Sequence, residues 1–265
     1  MDSKLFYDGQ FTSAAQRQAL LLNHLRSEVF ADVQVLRDAL GVSIATIRRD
    51  LTELEARGLL KRMHGGAAII NQATRDYATP IREGTNAEEK ARIGKAAAEL
   101  VVDGDAVLID SGTTSLQAAK CLAGRNSLTF VTNGTDTLAE LASGGARGIH
   151  LIGGEYIDLN RSLGGAMAAD QIRRFSVDKA ILSVTAVDLS RGIIATGSSQ
   201  MGTVQQAMIE IAKTVIVVAD HSKFDRTALS VVAPLKDIHH IVTNNETRDL
   251  LRNVPATIRA KFIFV

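Results

Sequence analysis

The sequence predicts an α/β chain in two parts, a small helical N-terminal domain and a larger domain built on a mostly parallel sheet. Three observations carry this. Residues 1–70 show helical periodicity rich in Leu and Arg. Beyond residue 88, short β-branched apolar runs alternate with helical stretches, as in sheets covered on both faces. Between them, 71–87 is polar and aperiodic, with Pro80 and Gly84, and reads as a linker. The expected division is therefore 1–70, 71–87 and 88–265.

Composition bounds the reading. The 265 residues carry 46% apolar and 22% charged residues with net charge +1, so any basic face must be local. The single Cys121 excludes a disulfide framework, fits a reducing compartment, and sits in "QAAKCLAG" as a buried helical thiol. The N-terminus lacks a signal-peptide core, and no apolar run approaches the ~20 residues that span a bilayer, so a cytoplasmic protein with no membrane partner is expected.

In the first part, "AAQRQALLLNHL" places Ala15, Leu21, Leu22 and Leu25 along one side of a helix. "ADVQVLRDALG" follows as a second helix, with Val33, Leu36 and Leu40 on one face and Gly41 as its stop. After one further residue Ser43 stands as N-cap of a third helix, Ile44 to Arg57, closed by Gly58. At about 100° per residue, Ile44, Ile47, Leu51 and Leu54 lie within roughly 80° and form its packing stripe. Arg49 then points the opposite way with Ala45 and Thr52 beside it, and Thr46 and Arg48 occupy the flanks.

A bare arginine pair would suit a solvated, salt-bridged face. Here it lies in the N-terminal half of the second helix of a helix-turn-helix, the half that enters the major groove of a duplex. "GLLKRMHGGAAI" adds strand, glycine turn and strand, a wing with Lys61, Arg62 and His64 near its tip. Residues 16–66 hold eight Lys/Arg and six Asp/Glu, so the binding face depends on position rather than bulk charge. Ser43, Ala45, Thr46, Arg48, Arg49, Thr52, Lys61, Arg62 and His64 are the candidate DNA-contacting residues.

In the second part, helices are expected at "EEKARIGKAAAELV", "SLQAAKCLA", "GTDTLAELA" and "GTVQQAMIEIA". Strands are expected at "AVLIDSGTT", "LTFVTN", "IHLIGG", "KAILSVTAVD", "TVIVVADHSK", "HHIVTNN" and "KFIFV". Ligands of such sheets collect beyond the carboxyl ends of strands. Polar residues recur there: Asp110, Ser111, Gly112, Thr113 and Thr114; Thr132 and Asn133; Gly153 and Gly154; Asp220 and Lys223. Each loop alone is explained by strand termination and capping, but four at corresponding strand ends favour a shared cleft. The first joins a tight glycine turn, hydroxyls and a helix N-terminus, a combination suited to phosphate, with Lys223 able to add charge.

"VSIATIRRDLTELEARGLLKRMHGGA" resembles the signature of the DeoR family of bacterial transcriptional regulators, through Thr46–Leu51 and His64–Ala67. "EEKARIGKAAAELVVDGDAVLIDSGTT", "VTNG", "LIGGE", "SLGG" and "VADHSKF" resemble, in order, the sensor domain of that family. The resemblance implies an N-terminal winged helix-turn-helix followed by a mostly parallel α/β sensor domain similar to ribose-5-phosphate isomerase and CoA-transferase folds. It implies a repressor of a carbohydrate-utilisation operon that binds double-stranded operator DNA as a homodimer or homotetramer and is released by a phosphorylated sugar, with no cofactor. The chain departs from the family where a Glu and a Lys-Arg pair are common: Met201, Gln205 and Gln206 stand there, and Ser183 and Ala186 replace frequent glycines. Near the N-cap a proline is frequent, whereas this chain has Ile44 and Ala45, a difference that bears on operator sequence. Gln205, as a neutral hydrogen-bond donor to hydroxyl or phosphate, joins the effector candidates. The alternative is an isomerase-like or transferase-like enzyme with a DNA-binding appendage. Asp110, Asp188 and Asp220 are its available acids, but no base-plus-acid constellation accompanies them. His221, His239 and His240 show no recurrent ligand spacing, and no metal site is expected.

Overall fold

The computed structural model describes residues 14–28, 30–57, 59–63, 65–68, 79–224 and 226–265. The chain divides into two compact units, 1–75 and 76–265.

The first unit contains α1 (Ala14–Glu28), β1 (Phe30–Asp32), α2 (Val33–Leu40), α3 (Ile44–Ala56), β2 (Lys61–Met63) and β3 (Gly66–Ala68). Its core joins Leu21 and Leu25 of α1, Leu36 and Leu40 of α2, and Ile47, Leu51 and Leu54 of α3. Leu22, Val33 and Ile44 are half-buried and Ala15 is exposed, so the expected stripes hold except at their ends. The turn between α2 and α3 is short because Gly41 adopts φ 64° and donates its N–H to the Arg37 carbonyl. Ser43 caps α3, its hydroxyl accepting from the Thr46 N–H at 3.1 Å.

One element was not expected. Phe30–Asp32, of which the sequence assigns Ala31 and Asp32 to the start of the second helix, is a strand paired antiparallel with β3, which also pairs with β2. Asp32 ends the strand and caps α2 by accepting from the Gln34 N–H. The expected Gly58 cap and the wing residue His64 lie outside the described residues.

The second unit begins with α4 (Thr79–Gly84), inside the stretch expected to be linker. Thr79 donates to the Leu159 carbonyl and Arg82 to Asn160 Oδ1, anchoring α4 in this unit. There follow α5 (Ala87–Glu99), β4 (Ala106–Ile109), α6 (Thr113–Leu122), β5 (Thr129–Thr132), α7 (Thr135–Ser143), β6 (Gly148–Leu151), β7 (Glu155–Ile157), β8 (Ser162–Gly164) and α8 (Gly165–Ile172). The chain continues through β9 (Val177–Ser183), β10 (Ala186–Asp188), β11 (Ile193–Thr196), α9 (Ser199–Ile211), β12 (Ala212–Val218), β13 (Ser230–Pro234), β14 (His240–Thr243), α10 (Ala256–Arg259) and β15 (Phe262–Phe264).

Seven strands form one parallel sheet in the order β15-β14-β12-β9-β4-β5-β6. Strand alternation divides the core. Val107, Ile109, Phe130, Ile181 and Ile216 face α5, α6 and α7. Leu108, Val131, Ala180, Leu182, Val215 and Val217 face α8 and α9. The run "KAILSVTAVD" is not one strand: after Ser183 the chain leaves the sheet, and β10 joins β11 and β13 in a small antiparallel sheet. The hairpin β7–β8 was likewise unexpected.

Cys121 is exposed, contrary to the buried thiol expected. The inward stripe of α6 is Ser115, Ala118, Ala119 and Leu122, and position 121 falls outside it.

Candidate functional site

The chain winds from β4 outward through β5 and β6, then crosses back to β9 and winds the other way through β12, β14 and β15. The reversal falls between β4 and β9, and the carboxyl ends of strands at such a point diverge to leave a crevice. A cleft opens there.

The structure places Asp110, Ser111, Gly112, Thr113, Thr114, Gln205 and Lys223 around this cleft, together with Arg82, Asn160, Ser183, Val184, Thr185, Thr196 and Met201. Thr132, Asn133, Gly153, Gly154 and Asp220 are outside its lining. Thr132 donates to the Ile109 carbonyl and accepts from the Gly134 N–H, and Asn133 donates to the Leu163 carbonyl. Gly153 N–H is held by Gln171, and Gly154, at φ 149°, lies so near the Gly164 carbonyl that a Cβ would approach it to 2.6 Å. Asn133 and Gly154 join the ends of β5 and β6 to β8, Thr132 ties β5 to β4, and Gly153 ties the end of β6 to α8. Asp188 also lies elsewhere, accepting from Ser190 and the Arg191 N–H in a turn.

At the centre is Asp110, the buried residue following β4. Its Oδ1 accepts from the Ser111 N–H at 2.7 Å, and its Oδ2 accepts from Gln205 Nε2 at 2.8 Å and the Ser183 N–H at 3.3 Å. Burial pushes this carboxyl upward, against the hydrogen bonds from Gln205, Ser111 and Ser183. It holds three elements in register: the turn into α6, the end of β9, and α9. Gly112 is required for close approach, because a Cβ would lie 2.0 Å from Ser183 Cβ and 2.2 Å from its Oγ. That hydroxyl receives the Ser115 N–H at 3.0 Å, so the first turn of α6 is clamped against β9. Gly112→Ala is therefore expected to destabilise the second unit by about 1–3 kcal/mol by overpacking and to deform the turn. Thermal denaturation of the full chain checks the first effect, and an unchanged melting temperature would contradict the packing described.

The cationic side is lined by Lys223 and Arg82, and Lys90 couples to both from outside the lining. Lys90 projects from the apolar face of α5 and donates to the Arg82 carbonyl. Burial lowers its pKa, with Asp220 opposing. Lys223 follows β12, and although part of its side chain meets solvent its ammonium lies deep. Burial pushes it down to about 8, with Asp220 raising it and Arg226, Lys90 and Arg82 adding to the depression. Asp220 is pushed up by burial but held below the ordinary carboxylate range by Lys223, Ser222, Asn86 and Lys90. Its Oδ1 accepts from Asn86 at 3.0 Å. Several cations thus crowd around one carboxylate, an excess of positive charge facing the hydroxyls of α6.

Glu89, Asp220 and His221 bring donor atoms within 4.8 Å of one another. Glu89 is already hydrogen-bonded to His221 Nδ1 at 2.8 Å, and Lys223 and Lys90 stand close enough to depress Asp220. A divalent ion there would be repelled by both.

The three family departures separate. Met201 and Gln205, one turn apart on α9, line the cleft. Gln206 is exposed and donates to the Val231 carbonyl. Gln205, expected as a donor to ligand, spends its amide N–H groups internally, on Asp110 and on the Ser183 carbonyl at 2.7 Å.

Arg82 and Asn160 were missed. Neither carries a sequence signal, since one falls in the apparent linker and the other in an irregular turn. Lys90 did carry one, because it falls in the apolar stripe with Ile93 and Ala97.

In the first unit, Ala45, Arg48, Arg49, Thr52 and Arg62 are exposed, as is Ser43, and Thr46 is half-buried. Lys61 starts β2, and His64 is outside the described residues. The acids are drawn elsewhere. Asp50 pairs with Arg17, Glu53 accepts from Gln18 at 2.6 Å, and Glu55 accepts from the Arg62 N–H at 2.9 Å. Arg62 donates to Thr52 Oγ1 at 2.8 Å, tying the wing to α3. A groove lined by Arg48, Arg62 and the Gly65–Gly66 turn lies between them.

Comparison with known proteins agrees with this division. Residues 17–73 match the DeoR-like helix-turn-helix domain and 85–245 the DeoR C-terminal sensor domain. The transcriptional repressor AccR of Agrobacterium fabrum is 45% identical over 96% of this chain and 98% of its own. The glycerol-3-phosphate regulon repressor of Escherichia coli is 31% identical over 86% of this chain and 90% of its own. Among solved structures, ribose 5-phosphate isomerase A of Methanocaldococcus jannaschii covers 53% of this chain and 55% of its own at 16% identity, with a TM-score of 0.40. Among the described residues no helix is long and apolar enough to cross a membrane. A capped, outward-facing arginine helix with a wing, followed by a switch-point cleft, and matched along nearly the whole chain by repressors, makes this protein a member of the DeoR family of DNA-binding transcriptional regulators.

Proposed function

We propose that the chain represses a carbohydrate-utilisation operon and that a phosphorylated sugar in the switch-point cleft releases it from DNA. The observation that carries this is the cleft itself. Lys223 and Arg82 face a turn of hydroxyls at the N-terminus of a ten-residue helix, where first-turn amides have no intrahelical acceptor. Two relatives, named as a glycerol-3-phosphate regulon repressor and a lactose phosphotransferase system repressor, support a sugar-phosphate reading. Both oxygens of Asp110 are spent on structural hydrogen bonds, which suits holding a ligand better than proton transfer. Ser43, Ala45, Thr46, Arg48, Arg49, Thr52, Lys61, Arg62 and His64 form the DNA face. A homodimer or homotetramer matches an operator with repeated half-sites. Effector and operator must weaken each other's binding by the same factor.

The test is calorimetric titration of the full chain with sugar phosphates across pH. The phosphate prefers the protonated Lys223, and that proton is lost as pH rises through about 8. Affinity is expected to hold from pH 7 to 8 and then to fall by up to about tenfold per pH unit, the slope of one linked proton. Lys223→Met should bind more weakly at pH 7 and lose that slope. No binding from a broad sugar-phosphate panel, or a slope that survives in Lys223→Met, would overturn the assignment.

A further inference from the structure

Gln205 is almost fully buried on α9, yet only half of its amide is satisfied. Nε2 has two hydrogens, and both are used, one on Asp110 Oδ2 at 2.8 Å and one on the Ser183 carbonyl at 2.7 Å. The orientation is forced. A carbonyl oxygen can only accept, so turning the amide over would set oxygen against oxygen at Ser183. Oε1 is buried and has no partner among the described residues. A buried acceptor left unpaired is rare in a folded protein, and here it belongs to a residue lining the cleft.

We propose that Gln205 reads a hydroxyl of the effector: with the phosphate on the Ser111–Thr114 turn beside Lys223, a carbon-borne O–H donates to Gln205 Oε1. The effector class is thus a polyhydroxylated phosphate, and Gln205 determines its specificity. This rests on the phosphate reading above. The donor is a hydroxyl rather than an ammonium because Lys223, Arg82 and Lys90 already supply positive charge there, and a further cation would be repelled. The rest of the lining agrees, since Ser183, Thr185, Thr196 and Asn160 are neutral groups able both to donate and to accept. Asp110 acts through Gln205 as a positioning residue, fixing the amide so that both N–H groups stay engaged and Oε1 is left without a protein partner among the described residues.

The experiment compares phosphates of equal carbon number with and without hydroxyls on the full-length protein: glycerol phosphate against propyl phosphate, sorbitol 6-phosphate against hexyl phosphate, and inorganic phosphate as baseline. At least one polyol is expected to bind about tenfold or more tightly than its alkyl partner, because a site built around a hydrogen bond rejects the analogue lacking it. In Gln205→Met that ratio should collapse towards one, the alkyl phosphate serving as the baseline within the variant. If this variant does not fold, the wild-type ratio and a co-crystal structure with a ligand hydroxyl within hydrogen-bond distance of Oε1 decide the matter. Equal binding within both pairs, or a ratio that persists in folded Gln205→Met, would overturn the role of Gln205 while leaving the phosphate site standing. Failure of all five phosphates would instead remove the phosphate site, and this proposal with it.

Discussion

Asp50→Ala should melt the DNA-binding unit early and abolish operator binding without touching a DNA-facing residue. Asp50 is 1% exposed in the middle of α3, and both of its oxygens are engaged by Arg17, Nε at 2.5 Å and Nη2 at 2.9 Å. Gln18 adds a third, longer contact at 3.4 Å. The pair staples α1 to the helix carrying Arg48 and Arg49. Removing one member of a buried pair commonly costs 3–5 kcal/mol, because the other charge is stranded. Arg17 keeps some access to water, so about 2–4 kcal/mol is expected here. For a unit of this size that is roughly 10–30 °C in melting temperature. Calorimetry of the full chain should show one transition moving and the other staying. A paired change, Arg17→Met with Asp50→Leu, should recover most of the loss, since apolar replacements of buried pairs are often neutral. If Asp50→Ala melts like the wild type, the staple is an incidental contact.

The Arg17–Asp50 pair also shows where sequence reading stops. The apolar stripe of α3 was legible because helical geometry dictates it. That Asp50, one residue past the arginines, turns inward was not, because its partner lies 33 residues away. The large sheet was legible for a similar reason. Strands covered on both faces carry continuous apolar runs, and "AVLI" and "VIVV" are such runs. The small antiparallel strands escaped because their patterns are short or mixed: Glu155 and Tyr156 are both exposed, and β10 follows β9 with no change of composition. Phe30–Asp32 becomes a strand only through pairing with β3, a tertiary choice no local signal records.

The cleft was legible only in part. Strand ends announce polar residues, but the sequence does not say which ends turn into the crevice. Asp110–Thr114 follow β4, beside the reversal, and line it; Lys223 after β12 and Thr132–Asn133 after β5 stand equally far from the reversal, and only Lys223 reaches the cleft. Strand order is a property of the whole sheet, which is why four similar loops looked equivalent in the sequence. Arg82 entered from a helix that the sequence presents as linker, and Gln205 kept its place but spends its N–H groups on Asp110 and the Ser183 carbonyl.

The second large effect concerns the arginines themselves. Arg49→Ala should weaken binding to a duplex selected by the wild-type protein from a random pool by about 1–3 kcal/mol, or roughly 5- to 150-fold. Arg49 is exposed, shares its face with Ala45 and Thr52, and makes no ion pair among the described residues, so the melting temperature should stay within the range of a surface substitution. Two kinds of contact are separable by titration at several salt concentrations. Loss of a base contact relaxes sequence preference at one position, whereas loss of a phosphate contact weakens all duplexes alike and lowers the salt slope by about one. Arg49 sits on the outermost face of α3 and is expected to show the first behaviour. Arg48 lies on the flank, in the groove toward the wing, and Arg48→Ala is expected to show the second. A strong loss of binding in both variants with unchanged melting would place α3 in the major groove with the wing along the backbone. Full retention of selective binding in the double variant Arg48→Ala/Arg49→Ala would move DNA recognition off this helix altogether.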